Sequence, residues 1–273
     1  MSDAEILARA KAYPFTRPGA SVVILGDRLL EVVELDPDDL ASSLVRQGDS
    51  EIALGDAAGD AGAPLDELAA VRTAVLAFGS NASPDTLRWK FPDHVAVLPL
   101  LHGRASGVDV VYSAHMTVYG SIPGTLQASP GTTVEVYVAL LTEAQLERMA
   151  AWEINATLER LDGLALELER ADPPERVAAF ISKHGCLTAG GAEIAIAEVA
   201  ANRRRFHAMT QPGVLEHARE LAAPDLSLDE FVLAGVRDYE RARAYTETLK
   251  RTARPFVDPR QGVPGSRRGD SNP

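Results

Sequence analysis

The chain reads as an α+β protein: a small mixed β-barrel with flanking helices, extended by an N-terminal helix and hairpin and by a helical C-terminal region. Three observations carry this reading. Between residues 71 and 141, four apolar segments are bounded by Pro, Gly and Ser, as strands are. One capped helical stretch interrupts them before strand-like alternation resumes at 155–161. Beyond about residue 175, apolar residues recur every three or four positions.

Taken in order, residues 3–12 predict a short helix. Residues 21–35 form two apolar runs broken at Gly26-Asp27, a hairpin signal. The Gly/Asp/Ala-rich stretch 48–64 predicts a solvated loop or linker. Its repeated Gly-Asp pairs lack the spacing of a calcium loop. Residues 71–78, 94–103, 108–114 and 132–141 predict strands. Thr142-x-x-Gln145 is a capping box that opens a helix over 142–153. Residues 192–209 and 214–222 fit helical spacing. The best helix spans 228–252, entered by the Ser227-x-x-Glu230 box. Residues 254–273 hold four prolines and three glycines and predict disorder. Four regions result: an extension (1–70), a barrel (71–175), a helical region (176–253) and a tail (254–273).

Composition narrows the function. The 273 residues are 46% hydrophobic and 24% charged, as in globular proteins, and their net charge is −12. Residues 1–70 hold 14 acids against 5 bases. Such acidity argues against nucleic acid and against an anionic membrane surface as partners. No run approaches the ~18 apolar residues of a membrane span. The N-terminus, carrying Asp3, Glu5 and Lys11, has no apolar core of a signal peptide. The single cysteine, Cys186, excludes an intrachain disulfide. The expected location is the cytoplasm.

Two places suggest chemistry. In residues 74–91 an apolar strand runs into Gly79-Ser80-Asn81. Ser83 then suits an N-cap, Pro84 the first helical position and Asp85 the first turn. Such a turn gathers backbone N–H groups beside a helix N-terminus, a seat for a carboxylate or a developing oxyanion. It also fits an ordinary turn before an ordinary helix. The second place is Glu153. It follows Leu146 by seven residues and Met149 by four, so it shares their inward face if the helix does not fray first. Burial and the helix C-terminus both disfavour its anion, as suits a general base working near neutrality.

Other candidates read as structural. His184-Gly185-Cys186 has no partner set with ligand spacing. Arg203-Arg204-Arg205 reads as a solvated helix face. Tyr112, Tyr119 and Tyr137 read as core or cleft wall on strands. Phosphate-binding, dinucleotide-binding, zinc-protease and nucleophile-elbow motifs are all missing.

The stretch LAFGSNASPDTL resembles the strand-end loop of the γ-glutamylcyclotransferase-like superfamily. GSIPGTL (120–126), the strand 132–141, the helix and Glu153 then follow in that superfamily's order. The resemblance covers about residues 71–165. It implies a small β-barrel and cyclisation of a γ-glutamyl group to 5-oxoproline with release of an amine. It implies Phe78, Gly79, Ser80 and Asn81 as the substrate loop and Glu153 as the acid/base. No metal or other cofactor is required. The loop's usual tyrosine is Phe78 here, and Asn155, Ala156 and Thr157 stand where an aromatic often follows the glutamate. The expected partner is therefore a small γ-glutamyl or other carboxylate or amide substrate. The alternatives are a module that binds such a ligand without turning it over, and acyl transfer on another substrate. The sequence does not fix the oligomeric state.

Overall fold

A computed structural model describes residues 1–91 and 97–259. Helix α1 (Asp3–Lys11) opens the chain under a capping box from Ser2 and Glu5. The hairpin β1 (Val22–Leu25) and β2 (Arg28–Glu34) turns at Gly26-Asp27, as expected. β3 (Leu44–Gln47), β4 (Ser50–Ala53) and α2 (Leu54–Asp60) follow. β5 (Arg72–Ala77) passes through a 3-10 turn (Ser80–Ala82) into α3 (Pro84–Lys90). Two long strands, β6 (Val97–Tyr112) and β7 (Gly124–Thr142), lead to α4 (Glu143–Trp152). Then come β8 (Ala156–Arg160), β9 (Ala165–Leu168), β10 (Ala178–Ser182), β11 (Thr188–Ala189), β12 (Ala192–Ile196), β13 (Ala201–Asn202) and β14 (His207–Met209). Helices α5 (Gln211–Ala222), α6 (Leu228–Arg237) and α7 (Tyr239–Leu249) end the described fold.

The strands form one mixed sheet, and it does not close into the expected barrel. Its main path runs β4-β3-β2-β1-β6-β7-β5-β10-β8. The reason lies in β6. From Leu100 to Tyr112 it pairs with β7 on one side, while its other edge is shared in turn by β1, β9 and β12. The sheet therefore branches. Residues 94–103 and 108–114, expected as two strands, belong to one strand from Val97 on; residues 92–96 lie outside the described residues. Between the two expected strands lies a bulge at Ser106/Val108, where Gly107 takes a positive φ of 84°.

Alternate strand residues face opposite sides. Val23, Leu25, Ala74 and Leu76 join the larger core, with buried residues of α1, α2, α5, α6 and α7. Val22, Ile24, Val75 and Ala77 join the smaller one, with Leu87 of α3 and Met149 of α4. Both faces are covered, so β1 is a continuous apolar run rather than an alternation. Each fully buried Leu or Val contributes about 1.5–3 kcal/mol.

Four more expectations are corrected. Residues 48–64 are not a linker. Leu54, Ala57 and Ala58 are buried on one side of α2, where small residues allow close packing. Residues 192–209 are not a helix. Ile194 and Ile196 also fit period two, and these β-branched residues lie in β12, which pairs with His207 and Met209 of β14. The 228–252 helix breaks at Asp238, whose carboxylate accepts from the N–H groups of Glu240 and Arg241 and starts α7. Arg204 is no solvated side chain: it grips the fully buried Asp109 with two nitrogens, at 3.0 and 3.1 Å.

The expected tail is docked where it begins. Arg254 exchanges backbone hydrogen bonds with Cys186, and the Val257 N–H donates to Gln127 Oε1. Residues 260–273 lie outside the described residues. At the other end, α1 packs on α6, tied by Lys11 to Asp229 at 2.7 Å and by Arg237 to Asp3. Among the described residues, no helix is long and apolar enough to cross a membrane.

Candidate active site

β5 delivers Phe78 and Gly79 to the edge of a cavity. Phe78 is buried and lines it. Gly79 has φ −118°, so the turn needs no left-handed backbone. Glycine is required for another reason: a Cβ here would collide with the Tyr13 hydroxyl. Tyr13 comes from the segment after α1. Its phenol oxygen accepts the Gly124 N–H at 2.6 Å. Ser83 occupies the N-cap of α3 but makes no capping bond, and its buried hydroxyl has no partner among the described residues.

Glu153 ends α4, and its N–H bonds back to Met149 and Ala150. Its carboxylate does face the loop. Oε1 accepts Asn81 Nδ2 at 2.9 Å and Lys90 Nζ at 2.6 Å. Lys90 also donates to Asn81 Oδ1 at 2.7 Å, which closes a triangle. The Lys90 side chain is only 7% exposed and that of Glu153 23%. The carboxylate is therefore not the isolated buried acid read from the helix face. Oε2 has no hydrogen-bond partner among the described residues, and Glu153 lines the cavity.

The cavity holds about 400 Å³, within the range of small-molecule sites. Phe78, Gly79, Ser80, Asn81 and Glu153 all line it. So do Arg9, Tyr13 and Lys90, which sequence reasoning did not single out. Tyr119 is a cleft wall as expected, but in a loop rather than on a strand. Burial pushes its phenol up to about 12; nearby Ser80 and Thr117 lower it, and the Glu153 charge raises it. Burial likewise raises Tyr13. Both phenols keep their protons near neutrality and can donate to a developing negative charge. Arg9 lies over the Phe15 and Tyr119 rings and has no ion-pair partner among the described residues.

Another part of the wall is uncharged. Ser182 Oγ lies 2.6 Å from Ser113 Oγ, which lies 2.7 Å from His115 Nδ1. Burial lowers His115 to about 3, with His184 adding to the effect, so the imidazole is neutral. Cys186 is structural: burial pushes its thiol up to about 12, away from nucleophilic use. Among the described residues, no group of three or more His, Cys, Asp or Glu converges as for a metal ion.

No protein-family model, curated protein or solved structure matches this chain.

The site's own chemistry is what remains. It offers a half-free carboxylate, a buried ammonium, two protonated phenols and an unpaired guanidinium. Such a set suits a small ligand with a carboxylate and a polar reacting group. Lys90, Tyr13 and Arg9 carried little local signal. Lys90 ends a short helix like any exposed lysine, and Tyr13 precedes a proline in an apparent connector.

Proposed function

We propose that the protein is a γ-glutamylcyclotransferase-like enzyme, which closes a γ-glutamyl group to 5-oxoproline and releases an amine. One observation carries the reading. Glu153 is anchored through Oε1 to the Gly79-Ser80-Asn81 loop while Oε2 is left for a ligand. In the reaction, the substrate's α-amine attacks its own γ-carbonyl carbon. A C–N bond forms, and the bond to the leaving amine breaks. Glu153 Oε2 accepts the proton of the attacking amine and returns it to the leaving nitrogen, so none is gained or lost overall. The cavity folds the substrate so that amine and carbonyl meet, which is catalysis by orientation. Tyr13 and Tyr119 provide the phenols near the loop, where Phe78 cannot. Arg9 suits the substrate's α-carboxylate. The open sheet departs from that superfamily's barrel, so the likeness rests on the loop, the order of elements and the glutamate.

A second reading is a binding module for the same ligands. It is favoured by Lys90, whose ammonium lies 2.6 Å from the carboxylate that must move protons. The deciding experiment is a screen of γ-glutamyl amines and dipeptides for 5-oxoproline release. Turnover that disappears in Glu153→Gln is the expected result. Tight binding without release assigns the binding module instead. Release that persists unchanged in Glu153→Gln removes Glu153 from the mechanism.

A further inference from the structure

Four large apolar side chains stand exposed on the lining of this one cavity: Trp89, Val118, Trp152 and Ile154, between 48% and 75% exposed. They come from three separate places. Trp89 lies in the last turn of α3, Trp152 and Ile154 flank the end of α4, and Val118 sits in the loop between β6 and β7. The two indoles meet, with ring centroids 4.5 Å apart and planes tilted by 47°. They are the only tryptophans in the chain. Exposed apolar residues scattered singly need no explanation, but a cluster around a ligand-sized cavity does.

The charges of the lining say what kind of group the cluster receives. Among the described residues lining the cavity, Glu153 is the only acid, and it is already paired with Lys90. Arg9 and Lys90 bring two cations. A leaving group with its own positive charge would find no free counter-charge. An uncharged apolar group would cover indole and aliphatic surface now facing water.

We propose that the Trp89–Trp152 rim, with Val118 and Ile154, binds the amine half of the substrate, and that this half is an uncharged aromatic or branched aliphatic group. The proposal rests on the cyclotransferase reading for the word "amine", and it adds the substrate class. The rim takes the part of the ligand that projects from the cavity, while Glu153 and the loop hold the reacting part.

The test uses the full chain and ligands that cannot react. Glutaric acid monobenzylamide and monomethylamide keep the carboxylate and the amide but lack the α-amine, so neither can cyclise. Their titration is followed by tryptophan emission and by calorimetry. The benzylamide should bind at least tenfold more tightly and shift the emission. In Trp152→Ser, a change at a half-exposed position, the ratio of the two affinities should fall below threefold. Equal affinities in the native protein overturn the proposal, as does binding of neither amide at millimolar concentration. So does a mono-(5-aminopentyl)amide, which carries a terminal ammonium, if it binds as tightly as the benzylamide. A concentration-dependent dimer that masks the indoles and excludes the amides would assign the rim to a second copy and also overturn it. Release of 5-oxoproline from γ-glutamyl benzylamide and methylamide is measured separately. A benzylamide preference in binding with no release sinks the cyclotransferase reading and keeps the rim. Release without preference does the reverse.

Discussion

At the scale of single residues, the Lys90–Glu153 pair ties stability to the catalysis proposed above. Lys90 is buried, and Glu153 is its only carboxylate partner among the described residues. Removing one charge from such a pair strands the other, which costs about 3 kcal/mol or more. Glu153→Gln should therefore abolish turnover and also lower the melting temperature by roughly 5–10 °C. In Lys90→Met/Glu153→Gln no ammonium is stranded, so most of that loss should return while turnover stays absent. Thermal melts of the two variants check this. A double variant less stable than Glu153→Gln would show that Lys90 contributes through some other contact.

At the scale of elements, the Gly79 turn and the Tyr13 segment form one unit. Gly79→Ala forces a methyl group against the Tyr13 hydroxyl, and overpacking of this kind costs about 1–3 kcal/mol. Tyr13→Phe removes that oxygen and leaves the Gly124 N–H without an acceptor, a cost of about 1–3 kcal/mol. The Gly79→Ala/Tyr13→Phe protein should be more stable than the sum of the single losses by about 1 kcal/mol, because the colliding oxygen is gone. Urea denaturation of the four proteins measures the coupling. Strict additivity would show that the phenol does not set the need for glycine. The same pair shows what can be read from a sequence. The 21–35 hairpin, the Thr142 capping box and the position of Glu153 follow from neighbours in the chain, and all three are visible there. The Tyr13–Gly124 bond spans 111 residues, and no local pattern announces it. β12 was misread because Ile194 and Ile196 satisfy two periods at once, and only their pairing with β6 and β14 decides between them.

At the scale of the whole molecule, β6, β7 and β9 meet around His102, and this fixes a pH dependence. His102 Nε2 lies 2.9 Å from Glu135 on β7, and Nδ1 lies 2.8 Å from Glu169 just beyond β9. The bond to Glu135 raises the His102 pKa, and Glu169 adds to it against the opposing effect of burial. The His102 contribution is therefore full below the unfolded value of about 6.5 and is lost as pH rises through the raised folded value. The bond from His102 also holds Glu135 below its ordinary range, so the Glu135 share is lost only as pH falls through that lowered value. His115 acts on the acid side too: lowered by burial, it withdraws stability as pH falls from about 6.5. Urea midpoints should drop as pH rises from about 6.5 through the raised His102 value. His102→Gln should flatten that alkaline limb and leave the acid loss due to His115. An unchanged alkaline limb would place its origin elsewhere. The docking of α1 on α6 has a further consequence, for synthesis. The ribosome makes α1 more than two hundred residues before α6, so the nascent helix must wait for the helix it packs on. A nine-residue helix is marginal in water by itself. Until α6 emerges, Asp3 and Lys11 lack their ion-pair partners Arg237 and Asp229. A polypeptide that ends before α6 therefore displays the α1 surface that the whole fold covers, without the ion pairs that hold the helix in place.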